Sequence, residues 1–387
     1  MALARVELAA RLGSMTYLDH AATTPMRQSA IDAWVEASGA LNPNGQYAAG
    51  RQARSVLDSA RETVAELLGC EPIEVIFTAS GTESDNIALQ GLYAASESNR
   101  IIVPAAEHSA VRDVAGMLAG RGAQVVDLPV DGAARVCDLS PLDTPAALAT
   151  CMYANNEVGS IQPIAEITQR AAAVGTPVHV DAVQAVGKLP INFHELQATT
   201  LAASAHKFGG PRGTGLLLAQ RTPAPKPVYF GGGQERGIRP GTVNVAGAAG
   251  LAAALQESLR EHEREAARLA RLRDKLRTFI TAHIDDVVVN TTEPALPTHL
   301  HVSFLGTDGD SLIMLLDRAG VAVSTGSACA AGVNRVSHVL EAMGADNVRA
   351  RGALRFSLGY TTTEDDIDAV CQQLPEIIET ARKVSEL

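Results

Sequence analysis

A single cysteine stands in the run STGSACAAG, residues 324–332, where Cys329 is surrounded by small residues. Residues of this kind bury little and let the backbone move, so a thiol placed among them can travel to a substrate. The alternative is a small buried filler, a common place for a free cysteine. A second reactive group is Lys207 in SAHKFGGPRGTG, which follows Ser204 and His206 at the end of an apolar run and precedes a glycine-rich turn. Desolvation there lowers an amine's pKa and makes it a nucleophile toward carbonyls. A Schiff base with an aldehyde cofactor is the corresponding chemistry, and an ordinary surface lysine is the alternative.

The run PVHVDAVQAVGK places Asp181 at the carboxyl end of an apolar strand, with Gln184 three residues on. A carboxylate in such a place is costly unless a cation pairs with it. The pyridinium nitrogen of pyridoxal phosphate is such a cation, and holding it protonated lets the ring act as an electron sink. A helix cap or a structural ion pair would account equally well for Asp181 alone. In TASGTESDN a strand, a tight turn and a helix start follow one another. Gly81 lets the backbone approach a phosphate, and Thr82 adds a hydroxyl beside free helix N–H groups, although Thr82 would also serve as a plain cap. A lysine, an aspartate and a phosphate seat in this order make a far more specific signal than any one of them.

The elements that must position these groups follow from the pattern. Between about residues 55 and 250, short β-rich runs (EVIFTAS, RIIVPAA, ALATCMYA, PVHVDAV, TTLAASA, GTGLLLAQ) are interleaved with amphipathic helical stretches. This alternation predicts an α/β fold with a large, mostly parallel sheet covered by helices, whose ligands sit beyond the carboxyl ends of the strands. Apolar residues spaced by three or four predict one long helix over 251–280. After it a smaller set follows: strand THLHVSF, helix DSLIMLLDRAG, strand VAVST, helix SHVLEAMG, strand ALRFSLG and a final helix from about Glu364. The expected organisation is a leader or tag over 1–14, a large cofactor-binding domain over 15–255 and a small domain over 256–387 that carries the Cys329 loop. The first ordered residues would pack on the small domain.

Composition bounds the function classes. A formal charge of −11 over 387 residues argues against direct nucleic-acid binding, which needs clustered Lys and Arg. The five cysteines, Cys70, Cys137, Cys151, Cys329 and Cys371, are dispersed with no CxxC pair, so neither a disulfide framework nor a metal site is expected. A reducing, cytoplasmic location follows. No apolar run reaches the roughly 18 residues of a membrane span.

From YLDHAATTP to the last helix, the chain resembles the cysteine desulfurases of the NifS/IscS group, in the class V aminotransferase family of pyridoxal-phosphate enzymes. The resemblance rests on GTESDN, EHSAV, NNEVGSIQPI, HVDAVQAVGK, SAHKFGGP, RPGTVN, STGSAC and RFSLG, which occur in the family's order. It implies an aspartate-aminotransferase-like fold. Lys207 would carry pyridoxal phosphate, Asp181 would pair with its ring nitrogen and His108 would stack on the ring and take part in proton transfer. Gln184 would bond the ring hydroxyl, and Asn156 would lie beside cofactor and substrate. Gly81, Thr82, Ser204 and His206 would hold the phosphate, joined by Thr242 from the other subunit of a homodimer. Arg355 would grip the substrate carboxylate, with Asn44 approaching the substrate.

The activity implied is conversion of L-cysteine to L-alanine with sulfur passing to Cys329 as a persulfide. The persulfide would then go to an acceptor such as an iron–sulfur scaffold protein, or to transfer-RNA thiolation. Selenocysteine lyase-like activity or another class V reaction is the alternative. The chain departs from the family pattern at Tyr47, where histidine is usual, after Cys329, where AAGVNRVSHVL lacks the frequent Glu-Pro, and at Tyr360, where arginine is common.

Overall fold

The computed structural model describes residues 15–326 and 336–385. A two-residue strand, β1 (Thr16–Tyr17), opens the chain, followed by β2 (Val75–Thr78), β3 (Arg100–Pro104), β4 (Gln124–Leu128), β5 (Leu148–Met152), β6 (Val178–Asp181), β7 (Thr200–Ser204) and β8 (Gly215–Ala219). The strands β2 to β8 form one sheet in the order β2-β8-β7-β6-β5-β3-β4. Neighbours are parallel except where β8 runs antiparallel to both β2 and β7. The runs read as strands in this half therefore fall where the sequence places them. The exposed edge strand β4, QVVDL, was not anticipated, because only Leu128 of its five residues is buried.

Helices cover the sheet on both faces. Central strands such as β5, β7 and β8 are buried along their whole length, as expected of strands covered by helices on both faces of the sheet. The helix Gly81–Ala95 begins directly after β2 and is capped by Ser80, whose Oγ accepts from Glu83 N at 3.1 Å. The helix Ser109–Ala119 follows β3 and is capped by the ring of His108.

The long helix spans Val245–His283, starting six residues before the periodic stretch and ending three after it. Its first turns, VAGAAG, contain two glycines of low helix propensity, and the Asn244 side chain starts the helix by accepting from Gly247 N at 2.9 Å. Beyond it lie β9 (Val287–Val289), β10 (His299–Phe304), β11 (Val321–Ala322) and β12 (Ala353–Ser357). An antiparallel sheet joins β12-β10-β9, and β11 pairs in parallel with β1. The run VAVST forms only those two strand residues and one bridge, Ser324 to Arg355. The final helix begins at Glu364, as the sequence predicts.

Three main cores result. A cluster with Ile76, Ile87, Leu89, Ile101 and Leu217 packs helix Gly81–Ala95 and helix Ser109–Ala119 on the large sheet. Of the other two, the first, also between the large sheet and its helices, includes Ile102, Phe193, Leu201, Leu251 and Leu255. The second includes Leu18, Leu272, Leu276, Phe304, Phe356 and Ile378. The long helix feeds both, Leu251 and Leu255 to the first and Leu272 and Leu276 to the second, and Leu18 ties the start of the chain to the second. The cavity described next lies where these bodies meet, beyond the carboxyl ends of β5, β6 and β7.

Candidate active site

One cavity of about 290 Å³ is lined by Gly81, Thr82, His108, Asn156, Asp181, Gln184, Ser204, His206, Lys207 and Arg355. These are ten of the thirteen residues singled out from the sequence. Asn44 and Thr242 are exposed and line no part of this cavity, and Cys329 lies outside the described residues. Gly326, three residues before Cys329, is on the cavity wall.

Each side chain is delivered by an element end. Asp181 ends β6, is buried, and its carboxylate accepts from Val183 N at 2.9 Å. Burial raises its pKa, while the cationic sides of His108 and Lys207 pull it back down. Asp85 sits one turn into the helix Gly81–Ala95, and side-chain atoms of Asp85, His108 and Asp181 lie within 4.8 Å of one another. Burial drives the Asp85 carboxyl well up, and the negative charges of Asp181 and Glu107 push it further. Glu107, also fully buried, is raised to about 8 by burial and then by Asp181. Of these three acids, Asp181 is the one in which neighbouring cations, His108 and Lys207, oppose the effect of burial. Asp85 instead meets His179 Nε2 at 3.1 Å, and burial holds that imidazole neutral by lowering it to about 3.

His108 Nδ1 accepts from Ala110 N at 3.1 Å, which leaves Nε2 as the ring's proton-bearing nitrogen in the neutral form. Lys207 Nζ donates to the carbonyls of Ala21 at 2.5 Å and Ala22 at 3.1 Å. His206 Nδ1 lies 3.0 Å from Thr23 Oγ1, and burial lowers its pKa to about 4. Arg355 is 3 % exposed, and its two terminal nitrogens donate to Asn156 O and Asp19 Oδ1, each at 2.8 Å. Its Nε is buried without a partner among the described residues.

The aminotransferase class-V family matches residues 16–370. The chain is 45% identical over 385 residues to an IscS-like cysteine desulfurase of Mycobacterium tuberculosis, covering 96% of this chain and 98% of the relative. The chain belongs to the cysteine desulfurase group of the class-V aminotransferases. A solved NifS-like protein superposes with TM-score 0.87 at 35% identity, over 95% of this chain and all of the other. A solved structure described as SspA in complex with cysteine gives TM-score 0.77 at 29% identity, over 88% and 98%. The type I pyridoxal-phosphate fold, the cysteine desulfurase activity and dependence on pyridoxal phosphate come with this membership.

The residues of this desulfurase-family chain fit that cofactor. A buried carboxylate at β6 needs a cation above it, which a protonated pyridine nitrogen supplies. At Gly81 a Cβ would come within 2.5 Å of Val183 Cγ2, so the helix start lies tight against the cavity wall where a phosphate would sit. The donors Thr82, Ser204 and His206 line the same cavity.

Several groups at the site were not read from the sequence. Asp19 holds Arg355 across 336 residues of chain, and the Ala21 and Ala22 carbonyls hold Lys207. No local pattern marks contacts of such separation. Asp85 had a usable signal: it lies four residues after Gly81, hence on the same helix face. Tyr360, one of the departures from the family pattern, packs under Arg27 at 4.4 Å and donates to the carbonyls of Pro25 and Met26.

Proposed function

We propose that this enzyme converts L-cysteine to L-alanine and passes the sulfur to Cys329 as a persulfide, within a homodimer whose partner subunit contributes Thr242 to the phosphate seat. The observation that carries the reading is the convergence of Lys207, buried Asp181, His108 and the orphaned Nε of Arg355 on one cavity. Lys207 would hold pyridoxal phosphate, Asp181 would face its ring nitrogen, Gln184 its ring oxygen, and Gly81, Thr82, Ser204 and His206 its phosphate. When bound, the cofactor supplies an electron sink for the carbon skeleton.

The chain's own groups do the rest. Arg355, fixed by Asp19 and Asn156, presents Nε to the substrate carboxylate, beside Asn156 and with Asn44 also approaching the substrate. The Lys207 amine takes the proton from the substrate Cα, and the half-buried His108, its ring fixed through Nδ1 by Ala110 N, moves protons at the same face. The Cys329 thiolate attacks the substrate sulfur; the new S–S bond forms as the Cβ–S bond breaks. That electron pair stays with the carbon skeleton, which takes up a proton and leaves as L-alanine. The persulfide then passes to an acceptor protein such as an iron–sulfur scaffold, or toward transfer-RNA thiolation. Among the described residues, no helix is long and apolar enough to cross a membrane, and a cytoplasmic location is part of the proposal.

The test is release of sulfide and alanine from L-cysteine with reductant present, comparing the cofactor-loaded enzyme with Cys329→Ala. Equal release of both products, lost in the variant while its visible cofactor absorbance remains, supports the persulfide route. Unchanged turnover by the variant overturns Cys329 as nucleophile and turns the reading toward the lyase or aminotransferase alternatives.

A further inference from the structure

We propose that Lys188 is a positioning residue for the cofactor's ring oxygen, acting through Gln184; the inference rests on the pyridoxal-phosphate reading above. Lys188 lies four residues after Gln184, in the turns that follow β6, and its Nζ donates to Gln184 Oε1 at 3.0 Å. An ammonium has donors only, so the amide oxygen must face Lys188. The amide nitrogen then points the other way and donates to Ala21 O at 2.9 Å. One N–H remains, on a buried side chain that lines the cavity. Gln184 thus offers the cavity a donor and cannot turn an acceptor toward it.

The charges around Lys188 give this arrangement a purpose. A structural lysine at such a depth would pair with a carboxylate, but among the described residues Gln184 is its hydrogen-bond partner. Burial lowers its pKa to about 7, and the cations Lys207 and Arg355 push in the same direction. The histidines coupled to it, His20, His206 and His299, are all held neutral by burial. Lys188 also borders a neighbouring cleft with Lys207, His262, Glu265 and Tyr360, of about 60 Å³. That space holds a few waters at most, so Lys188 reaches for no ligand of its own there. Its field acts on an anion in the main cavity, and Gln184 transmits it. The anion chemistry that fits is a phenolate-type oxygen on an aromatic ring, next to the carbon that Lys207 holds.

Two effects of removing Lys188 have the same sign. Without the ammonium, Gln184 is free to flip, and the ring oxygen loses both its donor and a nearby positive charge. A proton at that site would then be held more tightly.

The experiment is a pH titration of the visible absorbance of the pyridoxal-phosphate-loaded enzyme. Lys188→Met should raise the apparent pKa of the band by about one unit, the lower end of what one nearby charge does, and Lys188→Arg should restore it. Lys188→Gln, which keeps a donor but no charge and serves if the methionine variant does not fold, should shift it part of the way. In a Gln184→Met background, Lys188→Met should add only a smaller shift, because the charge is still lost but the positioned donor is already gone. An unchanged pKa in Lys188→Met, or in Lys188→Gln where that variant carries the test, overturns the proposal, as does full additivity with Gln184→Met. Failure of the wild type to develop a visible band with pyridoxal phosphate would overturn the cofactor reading instead.

Discussion

Gly81→Ala tests the geometry of the phosphate seat. A Cβ at this position would lie 2.5 Å from Val183 Cγ2 and 3.5 Å from Ser204 Cβ. Carbon atoms rest at about 3.5–4.0 Å, so about 1 Å of overlap must be relieved. Val183 is β-branched and cannot simply rotate away, and it lines the cavity. The open space beside it is the cavity itself, so relief displaces Val183 into the volume the cofactor needs. Overpacking of this size costs about 1–3 kcal/mol. If the cost falls on the loaded state, pyridoxal phosphate binds about 5- to 150-fold more weakly.

The assay is cofactor affinity by titration of the apoenzyme, with thermal melting of apo and loaded forms alongside. Val183→Ala removes the clashing methyl groups, so the double variant should regain most of the lost affinity. Wild-type affinity in Gly81→Ala would refute the reasoning, and so would an equal loss in the Val183→Ala background.

Further outcomes are expected elsewhere. Arg355→Lys keeps the charge but loses the planar fork, and should lower kcat/KM for L-cysteine by about 10- to 150-fold, in line with a charged hydrogen bond of about 1.5–3 kcal/mol; steady-state kinetics checks it. Glu107, raised by burial to about 8, keeps a proton that the unfolded chain releases at an ordinary carboxyl pKa. Its contribution to stability therefore falls as pH rises between about 4.5 and 8, and Glu107→Gln should flatten that part of the Tm–pH profile, read by calorimetry at several pH values. Arg61 donates to both carboxylate oxygens of buried Glu235, at 3.0 and 2.6 Å, and Phe77 N donates to the same group at 2.7 Å. Arg61→Ala strands that carboxylate and should cost about 3–5 kcal/mol in denaturant unfolding.

The lining of the cavity was legible where a polar residue stands at or just beyond the end of an apolar strand. Asp181, Lys207 and Thr82 stand out for that reason, and the helix and strand periods around them place the turns correctly. The second layer was not legible, because nothing in DHAATTP announces that Asp19 will meet an arginine on β12 or that two alanine carbonyls will hold Lys207. Such contacts arise from strand order, which a local pattern does not encode. Lys188 falls between these cases: the four-residue spacing to Gln184 was visible, but that its amine would meet an amide oxygen was not. The edge strand β4 escaped notice because a strand with one buried residue shows almost no hydrophobic period.

The pairing of β1 with β11 also bears on how the enzyme comes into being. Thr16 is hydrogen-bonded beside Val321, and Asp19, Ala21 and Ala22 reach the cavity from the same opening segment. On the ribosome this strand emerges about 300 residues before its partner, a wait of about 15–60 s at ordinary synthesis rates. During that interval the large sheet can fold, but Leu18 has no core to enter and Lys207 lacks a settled cradle. A nascent or truncated chain therefore possesses the lysine without the means to aim it. Strands made late put residues made early in place, so the carbonyl cradle of the Lys207 amine waits on β11 and β12.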